Sequence, residues 1–352
     1  MGSGQFSVIP HELAVDLELA LGTAAEAAAT SRGGWEAQRV RLGPNVLKIL
    51  TTGGALASAV RLAFGPLALT PEGPSDAEIR SWDSVGTGCA RPIPAWTLPG
   101  RFEGADRVFT CDVDHPQLTM SRPTDGSALV WSQDGENPAP WEASAPFRHV
   151  IDRLLGTRGT VFIHGGVVIE SQRGVLLTAP GGGGKSTTVL ACAAAGMSTL
   201  GDDFVMLENR CDTRTVPTVH ALYATARLLP NSPVWSILEP SALPPSDKHP
   251  IDVMGKHLVS LANLFPDRMA RSADLVAIAV PSREHSDARP SVKPITAAAA
   301  LRALAPTTLS LTEARPGAFA AMRMLCEELP CYELRVTPDL AAVVSCVRRI
   351  AS

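Results

Sequence analysis

No run of eighteen or more apolar residues occurs in the chain, which excludes a membrane-spanning helix of one uninterrupted stretch. Strong charge of either sign is also missing. Thirty-one Lys and Arg stand against 35 Asp and Glu, a formal net charge of −4. So even a balance argues against a general nucleic-acid partner or an anionic membrane surface, since both call for a basic face. There is no C-x-x-C pair among the seven cysteines. An odd number without that spacing reads as reduced thiols in the cytoplasm, not as a disulfide framework. Cys326 and Cys331, the closest pair, have no nearby His or Cys to complete a metal site and read as core thiols. The apolar stretch Leu13 to Ala29 has no basic flank and is interrupted by Asp16, Glu18 and Glu26, unlike a signal peptide. No internal repeat is evident. What remains is a globular composition, 45% hydrophobic and 19% charged, in a 352-residue chain long enough for two domains.

One stretch organises the rest: Val175 to Glu208, VLLTAPGGGGKSTTVLACAAAGMSTLGDDFVMLE. It reads as an apolar strand, a glycine loop, an alanine-rich helix to about Ala195, a short strand, and the paired acids Asp202 and Asp203. That order is the layout of a P-loop nucleotide site. Gly181, Gly182, Gly183 and Gly184 let backbone N–H groups approach phosphate oxygens without a Cβ in the way. The loop feeds a helix N-terminus, whose open N–H groups favour an anion. Lys185 can reach the β- and γ-phosphates of ATP, the Ser186 hydroxyl can ligate Mg²⁺, and Thr187 continues the loop signature. Ala179 stands where the pattern G-x-x-x-x-G-K-[ST] has its first glycine. That glycine serves the turn more than the phosphates.

The chain divides at about residue 144. Residues 1–144 read as an N-terminal α+β accessory or substrate-recognition domain, and residues 145–352 as the catalytic domain. In the first part the pattern predicts a helix from Pro10 to about residue 30 and a β-like Arg39 to Leu50 turning at Gly43-Pro44-Asn45. A helix is expected over Ala55 to Phe64, and half-buried strands over Asp106 to Asp112 and Ala128 to Ser132. Pro66 to Pro99 reads as mostly loop. Trp82, Trp96, Trp131 and Trp141 read as staples of a loop-rich domain rather than an aromatic recognition surface. In the second part a helix over Ala145 to Leu155 precedes Val161 to Glu170, read as one strand carrying His164. A turn at Ser171 to Gly174 joins it to the loop strand as a hairpin. Leu275 to Pro281 reads as a buried strand, Pro230 to Pro250 as a long loop, residues 296–313 and 316–329 as helices. Cys331 to Val336 reads as an edge strand and Asp339 to Ile350 as a closing helix.

Two adjacent carboxylates point to different sides of an extended chain. One of Asp202 and Asp203 can therefore face Mg²⁺ and Ser186, and the other an incoming hydroxyl. His164 is either a ring beside the bound phosphate or an ordinary half-buried histidine. Arg227, Lys248 and Lys256 are downstream basic residues of the kind phosphoryl transfer needs around the moving group.

The segment IHGGVVIESQRGVLLTAPGGGGKSTTVLACAAAGMSTLGDDFVMLE resembles the catalytic core of the HPr serine kinase/phosphorylase family. In that family an HG strand, a P-loop and an xDD strand follow at this spacing. The segments YATARLLPNS and GKHLVSLANLFPDRMARSADLVAIAVPSR resemble a divergent branch whose members include serine kinases of lasso-peptide precursors. The resemblance spans roughly residues 145–285. It implies an α/β fold with a P-loop kinase core of the HPr kinase and phosphoenolpyruvate carboxykinase type, beside a separate N-terminal α+β domain. It implies ATP and Mg²⁺ as cofactors, with Ser186 and Asp203 on the metal side. Asp202 would take the serine proton, His164 would sit by the transferring phosphate, and Arg227 and Lys256 would match positive positions. The expected partner is a peptide or protein bearing an acceptor serine, with a homo-oligomer admitted and neither nucleic acid nor membrane expected. The N-terminal half does not resemble that of HPr kinases proper, so HPr is not the expected substrate. A small-molecule hydroxyl kinase and a nucleotide-dependent regulatory ATPase are the competing readings. A carboxykinase is disfavoured, because no set of carboxylate-binding arginines is evident.

Overall fold

Two large sheets organise the chain in a computed structural model that describes residues 7–96, 98–208, 216–238, 255–283, 289–313 and 317–352. The architecture is mixed α/β. Lys248 and most of Pro230 to Pro250 lie outside the described residues. Contacts divide the chain into one unit of Met1–Leu62 with Leu67–Arg158 and another of Ala63–Pro66 with Gly159–Ser352. The division thus falls after Arg158 rather than near residue 144, because the helix Arg148–Leu155 packs within the first unit.

The first unit contains, in order, β1 (Ser7–Val8), α1 (His11–Ser31), β2 (Glu36–Leu42), β3 (Asn45–Thr51), α2 (Gly54–Phe64), β4 (Ala68–Leu69), β5 (Ala77–Asp83) and α3 (Ser84–Thr87). It continues with β6 (Gly100–Gly104), β7 (Arg107–Asp112), β8 (Gln117–Arg122), β9 (Ser127–Ser132), α4 (Pro140–Ser144) and α5 (Arg148–Leu155). Its nine strands run in the order β1-β6-β7-β8-β9-β5-β3-β2-β4. Helix α1 buries Ala14, Leu21, Ala25 and Ala28 at helical spacing and leaves Leu13 and Leu19 exposed. Small residues allow a close approach: a Cβ on Gly104 of β6 would lie 2.8 Å from the Ala14 methyl. Trp82 and Trp131, register partners on β5 and β9, are fully buried under this helix, and Trp131 donates to Ser84 Oγ at 3.0 Å. These two are core staples, as expected. The expected half-buried strand Ala128 to Ser132 is instead buried along its four central residues, and so is β8, which the alternation rule did not reveal. Strands covered on both faces lose the polar–apolar period.

The second unit contains β10 (Thr160–His164), β11 (Gly166–Glu170), β12 (Arg173–Leu177), α6 (Lys185–Ala194), β13 (Ser198–Gly201), β14 (Phe204–Glu208), β15 (Thr218–Ala221), β16 (Thr225–Leu228), β17 (His257–Ser260) and α7 (Leu261–Leu264). It ends with β18 (Ser272–Arg283), β19 (Ser291–Pro294), α8 (Ala297–Leu311), α9 (Ala318–Glu328), β20 (Cys331–Val336) and α10 (Leu340–Ala351). Its main sheet runs β10-β14-β15-β18-β12-β11-β13, and β20 pairs with both β18 and β19. Strand β20 is therefore internal, not the expected edge. Val189 and Leu190 of α6 and Val343, Val344 and Val347 of α10 share one core with Val175 and Leu177 of β12. Cys326 and Cys331 are both buried free thiols, and Cys331 Sγ lies 3.5 Å from Cys326 O.

Val161 to Glu170 is two strands, not one. The break is at Gly165, and β10 pairs with β14 while β11 forms the hairpin with β12. The two glycines permit the crossing. A Cβ on Gly165 would lie 2.8 Å from Leu176 Cδ1, and one on Gly166 would lie 2.6 Å from Val189 Cγ2 and 2.8 Å from Asp202 O. The Asp202 carbonyl is backbone and cannot swing aside. Gly166→Ala is accordingly expected to destabilise the protein by roughly 1–3 kcal/mol, as overpacking does, and urea denaturation measures it. A midpoint equal to the parent's contradicts the close approach.

Candidate phosphate-binding and acid site

The site begins where β12 ends. Leu177 and Thr178 are fully buried, Pro180 turns the chain, and the glycines lead directly into α6 at Lys185. Gly182 and Gly184 have φ of 84° and 101°, a backbone region that side chains avoid. Gly183 is required for another reason. A Cβ there would stand 2.7 Å from the Ala179 methyl and 3.1 Å from Pro281 O. The space that the alanine at position 179 takes is thus given back at position 183. Helix α6 has no side-chain cap at its N-terminus, so its first N–H groups face the loop, where an anion is favoured. Thr187 Oγ1 shares a hydrogen bond of 3.2 Å with Ser232 Oγ.

The paired acids occupy the turn between β13 and β14. Gly201, with φ of 138°, sets the turn against the Tyr223 carbonyl, 2.7 Å from where a Cβ would be. Lys185 Nζ donates to Asp202 Oδ1 and Asp203 Oδ1, both at 2.9 Å, and to the Asp202 carbonyl at 2.5 Å. The two carboxylates then diverge. Asp202 is 1% exposed and leaves Oδ2 buried with no hydrogen-bond partner. Asp203 turns the other way: its Oδ1 lies 3.9 Å from His164 Nε2 and its Oδ2 3.7 Å from Arg227 Nε. The His164 ring packs on Phe204 with centroids 5.2 Å apart.

These surroundings split the pair electrostatically. Burial pushes the Asp202 carboxyl above the ordinary range, and Lys185 offsets this only in part. Burial acts on Asp203 too, but Lys185, Arg227 and His164 outweigh it and hold that carboxyl below the usual range. Burial disfavours the Lys185 ammonium, yet the two acids raise its pKa overall.

His164, Lys185, Ser186, Asp202, Asp203 and Arg227, all singled out from sequence, thus come together. The two acids have different neighbours: Asp203 lies near His164 and Arg227, while Asp202 is buried against Lys185. His164 reaches the cluster through β14 and not through the loop strand. Arg227 comes from β16, whose partner β17 follows directly on Lys256, a half-buried residue. Sequence reasoning missed Arg283 at the end of β18. With Gly184, Thr187, Val336, Thr337 and Val343 it lines a cavity of about 240 Å³ beside the loop. No local signal marks Arg283, since it lies about a hundred residues from the loop in sequence.

No protein-family model and no curated protein matches this chain. Among solved structures, the Hpr(Ser) kinase/phosphatase from Coxiella burnetii aligns over 53% of this chain and 94% of its own, at 12% identity and a TM-score of 0.29. A likeness of that size carries no weight for the activity, which is read below from the residues. Among the described residues no helix is long and apolar enough to cross a membrane.

Proposed function

We propose that the chain is an ATP-dependent phosphotransferase that moves the γ-phosphoryl group onto a hydroxyl, with a serine of a peptide or protein as the acceptor. One observation carries the reading. A lysine at the head of the helix after a glycine loop grips two adjacent acids, and those acids face opposite ways. The loop N–H groups and Lys185 bind the β- and γ-phosphates. We assign the rest of the nucleotide to the cavity lined by Thr187, Arg283 and Val336, which adjoins the loop.

Asp202 fits a Mg²⁺ ion, because its Oδ2 is buried without a hydrogen-bond partner, and the Ser186 hydroxyl at the head of the helix would be the second protein ligand. Among the described residues no group of three or more His, Cys, Asp or Glu could hold a metal. Mg²⁺ is an ion held by one or two protein groups together with substrate phosphates. When bound, it neutralises charge on the phosphate oxygens.

Asp203 then faces the acceptor. In the free protein its cationic neighbours make it a weak base. Drawing Lys185 onto the phosphates relieves the largest of those charges. The acceptor oxygen bonds to the γ-phosphorus, the bond to ADP breaks, and the hydroxyl proton passes late to Asp203. His164, Arg227 and Lys256 offset charge around the moving group. We assign the reaction to the cytoplasm, where ATP is available and thiols stay reduced. We assign recognition of the acceptor to the N-terminal unit, and a lasso-peptide precursor or similar ribosomal peptide is the acceptor class that the sequence resemblance favours.

The test is incubation with ATP and Mg²⁺ against serine-containing peptides and small hydroxyl compounds, followed by intact mass. A gain of one phosphate on a peptide is expected. Modification of a small compound alone moves the assignment to a metabolite kinase. ATP hydrolysis with no modified acceptor moves it to a regulatory ATPase.

A further inference from the structure

We infer that Thr178 and Thr308 are positioning residues that clamp the main chain of His164 and so hold its ring in register with Asp203. The inference rests on the phosphotransfer reading of the site. Strand β10 is the edge of its sheet, and His164 is its last residue, paired with Phe204. The next residue, Gly165, donates its N–H to Asp203 O at 3.0 Å. In an antiparallel ladder, hydrogen-bonded and non-hydrogen-bonded pairs alternate. The bond at Gly165 therefore places His164 at a non-hydrogen-bonded position, with its N–H and C=O both turned away from β14.

Turned away from the ladder in a partly buried place, those two groups require other partners. They find them in two side chains. The His164 N–H donates to Thr308 Oγ1 at 3.1 Å, and the Thr178 hydroxyl donates to the His164 carbonyl at 3.3 Å. Both threonines are fully buried, where a hydroxyl without a partner is disfavoured. Thr308 sits inside α8. Thr178 is the residue after β12, and its own N–H bonds to Ala279 O at 3.1 Å. Thr178 therefore ties the entrance of the glycine loop to His164. The 3.9 Å between His164 Nε2 and Asp203 Oδ1 is the quantity this clamp sets.

Thr178→Val and Thr308→Val delete each hydroxyl at nearly constant shape, and Thr178→Ser and Thr308→Ser keep it. Two measurements follow. The first needs no reaction: nuclear Overhauser contacts between the His164 and Phe204 rings in the nucleotide-free protein. The second is kcat and KM for ATP with an acceptor. The valine variants are expected to weaken the ring contact and to lower kcat by roughly 10- to 100-fold, the scale of a small misplacement. KM for ATP should stay within about twofold, since the loop donors are untouched, and the serine variants should restore both measurements. Where a valine variant does not fold, the alanine variant replaces it. Unchanged ring contacts in the valine variants overturn the clamp, and so does a serine variant that fails to rescue. If wild-type protein transfers no phosphate, the phosphotransfer reading fails while the ring contacts still judge the clamp.

Discussion

Lys185→Ala is expected to reduce phosphotransfer by at least about 10²- to 10³-fold in kcat/KM, the scale of losing one preorganised donor to a developing charge. The same change is expected to lower stability by about 3 kcal/mol, the low end for removing one partner of a buried ion pair. Both effects come from one ammonium group. It sits between Asp202 and Asp203 in the free protein and is the only side chain that donates to both of them among the described residues. Without it, Asp202 is a buried carboxyl beside a second acid, and it takes up a proton instead of remaining charged, which keeps the cost near that low end. Urea denaturation and a coupled ADP assay measure the two effects. Full transfer by this variant removes the glycine loop from the mechanism.

The acids also have a pH signature with opposite signs. Asp203 has a folded pKa below its unfolded value. Its contribution to stability is present above the unfolded value of about 3.9 and is lost as pH falls through the folded one. Asp202 has a raised folded pKa, so its contribution is present at low pH and is lost as pH rises. In Lys185→Ala the acid-side loss due to Asp203 should shrink, because its largest stabilising charge is gone.

Asp203→Asn is the second large effect. It is expected to lower kcat by about 10²- to 10⁴-fold, the range for removing a proton acceptor, with KM for ATP and the Mg²⁺ requirement little changed. Asp202→Asn should behave differently: the Mg²⁺ concentration for half-maximal activity should rise, because the buried, unpartnered carboxylate oxygen is gone. Titrating Mg²⁺ against rate for both variants decides between them. If Asp203→Asn shifts the Mg²⁺ dependence and Asp202→Asn does not, the two roles must be exchanged.

Much of the site was legible because its residues are close in sequence. Val175 to Thr178, four glycines and Lys185-Ser186-Thr187 specify strand, loop and helix through local backbone preferences. Alanine-rich α6 and the short apolar strand before the acids follow from composition and length. The opposite orientation of two adjacent carboxylates also follows from extended geometry alone. Which acid faces which way does not. That depends on the turn at Gly201 and on the Tyr223 carbonyl against it, a contact between residues 22 apart in number.

The position of His164 was misread for a comparable reason. IHGGVVIE is apolar on both sides of Gly165-Gly166, and the glycine pair alone does not tell a break from a close backbone approach within one strand. The break exists because two glycines pass within reach of Leu176, Val189 and the Asp202 carbonyl. No local signal marks strand β8 or the full burial of the centre of β9, since cover on a second face is a property of the whole unit.

The sequence by itself determined where a glycine loop meets a helix N-terminus and which charged groups are available, because these reside in a continuous run of residue types. Only the tertiary structure decided how those groups divide their work. Lys185 of α6, Asp202 and Asp203 of the turn between β13 and β14, His164 of β10 and Arg227 of β16 reach one another, and the ionisation of the acids and the lysine is set by burial and by neighbours that the chain brings together only on folding.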